Sequence, residues 1–189
     1  MQDTSLTSLL KLESKTAHEY VDHLMMSYHP FKDKESYGKF LKLQEVFHRI
    51  VQPIYFDEEN NKKIHDLRSL ARHGKVLQDM QDLGISSLGI KDLPYPTGPE
   101  AIGWLYCAEG SNIGAALLIK EAKKLDINEK YGARHLAPHA DGRGQHWRAF
   151  AKKFDEVFKG LSVEKVLKGA KESFHFYQKL ARAVFGATT

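Results

Sequence analysis

The chain has one cysteine, Cys107, among its 189 residues. A single thiol excludes an internal disulfide framework and is typical of a reducing compartment, so we expect a cytoplasmic protein. There is no run of about 18 or more apolar residues, and we therefore expect no membrane span. The sequence from Met1 starts without a basic segment followed by an apolar run, so no cleaved signal peptide is expected.

The excess of basic over acidic residues is small. Lys and Arg number 28 against 24 acidic residues, a formal net charge of +4. The basic residues are scattered, and no basic block indicates a nucleic-acid partner. The Gly-x-Gly-x-x-Gly fingerprint of dinucleotide-binding domains is absent, so electrons for any redox chemistry must come from another protein. Ten histidines, by contrast, direct attention to metals and cofactors.

Strand signals are nearly absent, because no sustained alternation of apolar and polar residues is bounded by turns. Apolar residues at helical spacing instead predict one all-α domain over residues 1–189. Asp33 is the expected N-cap of the second helix, with Ser36 as the alternative. The segments 84–96 and 128–145 are predicted to be irregular. The predicted helices cover residues 4–26, 33–53, 57–83, 97–124, 146–158 and 163–185.

The predicted helix over 97–124 carries three interior glycines, Gly103, Gly110 and Gly114. Each costs about 1 kcal/mol relative to alanine inside a helix. Tyr106, Gly110 and Gly114 are spaced four residues apart and therefore share one helical face. The glycines admit two interpretations: close helix packing or a kink, or a flat ligand lying on exposed backbone.

Lys11 and His18 are seven residues apart in the first predicted helix and project at nearly the same angle. A neutral imidazole is a good axial ligand for haem iron, and an amine along the same face can meet a propionate. A lone histidine on an amphipathic helix is more often an ordinary surface residue or a satisfied core residue. A zinc-protease motif is excluded, because His23 follows His18 by five residues and not by the required four.

Two Glu-x-x-His patterns, Glu45/His48 and Glu172/His175, have the spacing found in di-iron carboxylate bundles. Such a site needs further carboxylates, for which Glu109 and Glu13 or Glu19 are the candidates. The abundance of acidic residues and histidines makes chance occurrence easy. A di-iron protein is the structural alternative at this point.

Several longer runs make the chain similar to haem oxygenases, and most similar to the short type that Gram-negative bacteria such as Neisseria use for iron acquisition. The resemblance covers most of the chain. It implies an all-α haem-oxygenase-like helical bundle in which haem lies between a proximal helix and a kinked, glycine-rich distal helix. The runs are GWLYCAEGSN (103–112), YGARHLAPH (131–139), DGRG (141–144) and HWRAF (146–150).

The resemblance also implies roles for individual residues. His18 matches the axial ligand of the haem iron, and Lys11 and Tyr106 match residues that contact the haem propionates. Gly110 and Gly114 match the distal kink. Ser111 and Asn112 lie between these glycines. Four further side chains match residues that hold water in the distal pocket of the family, namely Gln44, His48, Arg72 and Trp147.

One departure from the animal-type pattern is that no aspartate follows Gly110, where that branch uses one to organise distal water. Bound water and backbone groups would have to take this role here.

The activity implied by the resemblance is the O₂-dependent opening of haem to biliverdin, carbon monoxide and ferrous iron, in which haem is both substrate and cofactor. Electrons would come from a ferredoxin or flavodoxin with its reductase, acidic partners for a net basic chain. We expect a monomer. The alternative on the same scaffold is a haem-storage or haem-sensing protein without turnover.

Overall fold

A computed structural model describes residues 5–186. Within this range the chain forms seven α-helices and two 3-10 turns (Leu67–Leu70 and Arg134–Leu136). No β-strand occurs among these residues, and Asn128 makes only isolated bridges to Tyr131 and Gly132. The predicted all-α fold is confirmed. The helices are α1 (Leu6–Ser27), α2 (Lys34–Phe56), α3 (Glu58–Lys63), α4 (His73–Asp82), α5 (Gly98–Lys123), α6 (Arg143–Phe158) and α7 (Val163–Phe185).

Helix starts follow the expected capping chemistry. The Asp33 carboxylate accepts the backbone N–H of Ser36 at 2.8 Å, so Asp33 is the N-cap of α2 and Ser36 lies inside the helix. Ser5 and Ser162 cap α1 and α7 in the same way. Each such cap satisfies an N–H that has no partner within the helix. The predicted start of the first helix at residue 4 lies outside the described residues.

The predicted end of the second helix at Pro53 is wrong, because α2 continues to Phe56. Proline removes one backbone donor, and so close to the end of a helix the loss affects a single hydrogen bond. The next residues, Ile54 and Tyr55, are buried, and their packing keeps the last turn helical. The sixth helix also begins earlier than predicted, at Arg143 and not at residue 146.

The single helix predicted over 57–83 is likewise wrong, since the chain forms α3, a 3-10 turn and α4 there. The Asn61 side chain accepts the backbone N–H of Arg68 at 3.0 Å, which competes with continuation of the helix after Lys63. Downstream, Asp66 adopts a left-handed backbone conformation with φ 58°. These local interactions break a pattern whose apolar spacing alone is helical.

Helix α5 packs against α2, α6 and α7 at the centre of the fold. Its closest neighbour is α7, and two glycines make the approach possible. A Cβ at Gly103 would collide with the carbonyl oxygen of Val166, and a Cβ at Gly169 would collide with that of Glu100. Close packing is therefore the role of Gly103, the first of the three glycines in α5.

Helix α5 is also the one helix in the described part of the chain whose length and composition would allow a membrane crossing. In the fold, 56 % of its most apolar 18-residue window is buried inside the protein. A buried core helix can have the same length and apolar composition as a membrane-spanning helix.

Helices α1 and α5 each pack against both α6 and α7. Between residues 5 and 186 they make little or no direct contact with each other. The helix that carries His18 and the helix that carries Gly110 and Gly114 are thus held by common neighbours without being packed together.

Candidate functional site

His18 lies in the middle of α1 with 56 % of its side chain exposed. Its Nδ1 atom is 3.3 Å from a carboxylate oxygen of Asp22, one turn further along the helix. The ring makes an edge contact with Phe174 of α7, with ring centroids 6.0 Å apart. A carboxylate at Nδ1 fixes the tautomer and leaves Nε2 as a donor atom for a metal.

The two candidate propionate contacts lie on different helices. Lys11 is exposed on α1 and forms no ion pair with any of residues 5–186, so its ammonium group is available to an anion. Tyr106 is buried on α5, where its ring packs against Trp147 and Phe154 of α6. Burial raises the pKa of the Tyr106 hydroxyl to about 12, so at neutral pH this group remains a hydrogen-bond donor.

The two remaining glycines of α5 differ from Gly103. A Cβ added at Gly110 would lie 3.6 Å from the Trp147 ring, an ordinary contact, and one added at Gly114 would meet no atom within 4 Å. Packing among the described residues therefore does not explain either glycine, although α5 remains continuous through both. Their helix-propensity cost is consistent with a surface kept bare for something outside the chain.

The two polar residues between these glycines differ in their exposure to solvent. Ser111 is exposed, and its hydroxyl donates to the carbonyl of Ala108 at 2.7 Å within the same helix. Asn112 is buried, and its backbone carbonyl accepts from Arg143 at 2.8 Å. The side-chain Oδ1 atom of Asn112 is buried without a hydrogen-bond partner in the described part of the chain.

The four predicted holders of distal water are only partly brought together. His48 and Arg72 are buried neighbours, and the pKa of His48 is held well below its usual value, first by burial and then by the Arg72 charge. Gln44 donates to the Tyr177 hydroxyl at 2.8 Å and hydrogen-bonds to neither of them. Trp147 lies on α6 beside Gly110, where its ring would contact an added Cβ.

His135 belongs to this cluster, although the sequence pattern gives it no role. Its Nδ1 atom lies 2.8 Å from the buried Asp79 carboxylate, and its ring centroid is 6.5 Å from that of His48. The one sequence signal for it is its position inside the run 131–139. Burial lowers the pKa of His135, while the Asp79 carboxylate acts in the opposite direction.

Four buried polar atoms on α5 or in the His48 cluster have no hydrogen-bond partner among residues 5–186, namely His48 Nδ1, His135 Nε2, Asn112 Oδ1 and Trp104 Nε1. Leaving such an atom unsatisfied costs about 1–3 kcal/mol. Buried polar atoms of this kind are normally satisfied by ordered water or by a ligand. These donors and acceptors, together with a free imidazole nitrogen, a free ammonium group and a bare helix face, fit a haem with associated water.

Glu109, which the sequence offers only as a candidate di-iron ligand, forms a buried carboxylate cluster with other partners. Glu109, one residue before Gly110, is fully buried and accepts the Tyr55 hydroxyl at 2.5 Å. Its other oxygen lies 3.0 Å from Nε2 of His146, and an Arg72 nitrogen is 4.0 Å away. Burial and the Glu109 charge together raise the pKa of Tyr55 well above its usual value.

The di-iron alternative finds no support in the fold. Glu45 is occupied by His73 at 3.1 Å and by the Ser87 hydroxyl at 3.0 Å, and His48 is not among its partners. Glu172 lies 3.5 Å from Lys168 on an exposed part of α7. No group of three or more His, Cys, Asp or Glu side chains in the range 5–186 could hold a metal ion.

Comparisons with known proteins agree on one family. The Heme oxygenase family model matches residues 4–183. Heme oxygenase PigA of Pseudomonas aeruginosa is 31 % identical over 188 residues, covering 93 % of this chain and 91 % of its own. The NO- and CO-bound heme oxygenase of Neisseria meningitidis is 49 % identical with a TM-score of 0.93, covering 98 % of this chain and 95 % of its own.

A more distant structure, heme oxygenase 2 of Chlamydomonas reinhardtii without heme, shares the fold at 18 % identity and a TM-score of 0.69. It covers 97 % of this chain and 100 % of its own. The family match spans nearly the whole described fold, including the helices that carry His18 and the glycines. The chain therefore belongs to the haem oxygenase family and is an enzyme that degrades haem.

Proposed function

We propose that haem binds between α1 and α5, with Nε2 of His18 as the axial ligand and the backbone at Gly110 and Gly114 against the opposite face. The observation that carries this proposal is the contrast among the three glycines of α5. Gly103 is needed for packing on α7, whereas Gly110 and Gly114 have room for a Cβ. A ligand on that face explains why both positions are glycine, which packing does not.

Anchoring falls to Lys11 and Tyr106. The exposed Lys11 ammonium has no competing carboxylate in the described range, and Tyr106 supplies a neutral donor at physiological pH. One group comes from each of the two helices, so together they set how haem is rotated in its plane. That rotation decides which meso carbon faces the distal backbone.

When bound, haem supplies the iron at which O₂ is activated and is also the substrate that is opened to biliverdin, carbon monoxide and ferrous iron. The chain supplies position, water and protons. Gly110 and Gly114 withhold side chains from the distal face, while His48, His135 and Asn112 hold water through their free atoms. Ser111 precedes Asn112, Arg72 lies beside His48, and the Trp147 ring lies against Gly110 from α6. Gln44, which donates to Tyr177, is proposed to act on this set through bound water.

The electron donor is proposed to be a ferredoxin or flavodoxin with its reductase. This chain has no dinucleotide fingerprint and a net charge of +4, which suits a brief encounter with an acidic carrier. We further propose that the protein is a cytoplasmic monomer and that its reaction releases iron from haem for the cell. Growth of a deletion strain with haem as its sole iron source tests the last of these, because impaired growth is expected only under that condition.

The activity is tested with purified protein, hemin, catalase and a reduced ferredoxin with its reductase. We expect the Soret band to disappear, a biliverdin band to grow and carbon monoxide to be released. A haem-storage or haem-sensing protein would instead form an oxygenated complex that returns to the ferric state with its Soret band intact. That result would support the alternative without turnover.

A further inference from the structure

The buried carboxylate of Glu109 joins two groups of side chains. Its Oε1 atom accepts the Tyr55 hydroxyl at 2.5 Å and lies 4.0 Å from an Arg72 nitrogen. Its Oε2 atom lies 3.0 Å from Nε2 of His146, on a different helix. Each oxygen therefore has its own set of partners.

The side of Glu109 that faces His146 leads to solvent. His146 retains 12 % of its side-chain exposure, and its ring stacks on His139 with centroids 4.3 Å apart and an interplanar angle of 18°. The His139 side chain is 36 % exposed and lies 3.4 Å from the Asp141 carboxylate at the surface. A fully buried carboxylate is thus one hydrogen bond away from an imidazole that water can reach.

The other side leads to the distal cluster. Arg72, which is 4.0 Å from Glu109, also acts electrostatically on both His48 and His135. Glu109 directly precedes Gly110 on α5, as His146 precedes Trp147 on α6. Since Trp147 lies against Gly110, the Glu109–His146 hydrogen bond sits beside the glycine face where haem is proposed to lie.

We propose that His146 and Glu109 form the route by which solvent protons enter the distal pocket. This inference rests on the proposed haem site. The reduction of O₂ during haem opening consumes protons, and neither Gly110 nor Gly114 can supply one. An imidazole is suited to relay protons because it can accept at one nitrogen while it releases from the other.

The transfer balances without any change in redox state at these residues. A proton from water binds Nδ1 of His146, and the proton on Nε2 passes to Oε2 of Glu109. The neutral carboxyl group then turns about its Cγ–Cδ bond, so that its O–H moves from the His146 side to the Tyr55 and Arg72 side. There it releases the proton to the water of the pocket, and the carboxylate is restored. The electrons come from the external donor of the haem oxygenase reaction.

Two variants separate a relay from a purely structural hydrogen bond. His146→Gln keeps an N–H donor for Glu109 but cannot exchange a proton between two ring nitrogens. His146→Phe keeps a ring for stacking but removes the donor. The matched control is His65→Gln, because the His65 side chain is 91 % exposed and is paired only with the neighbouring Asp66.

We expect both His146 variants to bind hemin normally and to convert it about tenfold more slowly in a single turnover. The solvent deuterium isotope effect should increase, and added imidazole should restore the rate. His65→Gln should behave as the wild type in all three measurements. A wild-type rate in His146→Gln would overturn the relay, whether or not His146→Phe is slow, as would slow variants that imidazole fails to restore.

The haem-free protein gives an independent readout. In ¹⁵N-histidine NMR spectra, the Nε2 proton of His146 should resonate downfield of a free imidazole and should move in Glu109→Gln. A resonance at the free-imidazole position would overturn the contact on which the relay depends. If wild-type protein itself fails to convert hemin, the proposed function fails, whereas wild-type conversion with unaffected His146 variants overturns only the relay.

Discussion

The Nδ1 atom of His18 lies 3.3 Å from a carboxylate oxygen of Asp22 on the same face of α1. An anionic acceptor at Nδ1 increases the electron donation of Nε2 to a bound metal. We expect Asp22→Asn to weaken hemin binding by about tenfold and to shift the reduction potential of the complex to a more positive value. Hemin titration and spectroelectrochemistry measure the two effects.

Glu19→Gln is the control for Asp22→Asn, since Glu19 lies near His18 in sequence but pairs with Lys15 at 3.9 Å. Equal affinity and potential in Asp22→Asn and wild type would show that the carboxylate does not act on the axial ligand.

The axial ligand itself is tested by a pair of histidines on α1. His18→Ala should abolish the histidine-ligated spectrum of the hemin complex, because no other residue is proposed to donate from that helix. His23→Ala should leave the spectrum unchanged, since His23 is exposed five residues further along. Electronic absorption and electron paramagnetic resonance distinguish the two. An unaltered spectrum in His18→Ala would remove His18 from the site.

Rotation of haem in its plane should depend on Lys11 and Tyr106. The double variant Lys11→Ala with Tyr106→Phe removes both proposed propionate contacts and should change the ratio of biliverdin isomers, measured by chromatography of the product. Lys15→Ala is the control, because Lys15 lies on α1 but already pairs with Glu19. An isomer ratio equal to that of the wild type in the double variant would rule out these two anchors.

Stability of the haem-free protein should decline in mild acid. Burial holds the pKa of His48 well below 6.5, and burial also lowers that of His135. Below about pH 6.5 the unfolded chain therefore binds protons that the folded chain does not bind. The free energy of unfolding is at its full value above that pH and decreases as the pH falls. The slope should reach at most about 1.4 kcal/mol per pH unit for each histidine.

Urea unfolding between about pH 7.5 and 5 measures this slope. His48→Gln should make it shallower, whereas His65→Gln should leave it unchanged because His65 is exposed. A pH-independent free energy of unfolding in the wild-type protein would contradict the buried neutral state of both histidines.

The positions of the candidate site residues on their helices could be predicted, but their long-range contacts could not. Helical spacing places His18, Lys11 and the glycines on helix faces without any tertiary information, and their roles at haem stay a proposal. The pairs Glu109–His146 and Asp79–His135 span 37 and 56 residues, so only the packed fold brings them together. The break in the helix predicted over 57–83 has a local cause, because the Asn61 side chain accepts the backbone N–H of Arg68 and overrides apolar spacing.

Gly103 illustrates why composition alone leaves a glycine ambiguous. Gly103 and Gly114 lie in one helix and have the same propensity cost, yet a Cβ added at Gly103 would collide with the backbone of α7 and one added at Gly114 would meet no atom within 4 Å. Their neighbours in sequence do not reveal this difference. It becomes visible only when α7 is in place.

The variant Gly114→Ala tests whether the bare backbone of α5 serves haem turnover. An added methyl group meets no atom within 4 Å in the haem-free protein. We therefore expect the variant to fold with equal stability, or with up to about 1 kcal/mol more because alanine favours the helix. Gly103→Ala, the matched control, should instead be destabilised by about 1–3 kcal/mol through overpacking.

The decisive measurement is the rate of hemin conversion to biliverdin by folded Gly114→Ala, recorded with urea unfolding of the same sample. We expect unimpaired stability together with conversion that is about tenfold to a hundredfold slower, because the methyl group displaces haem or its distal water. Wild-type conversion by a stably folded Gly114→Ala would show that this bare backbone does not serve haem turnover.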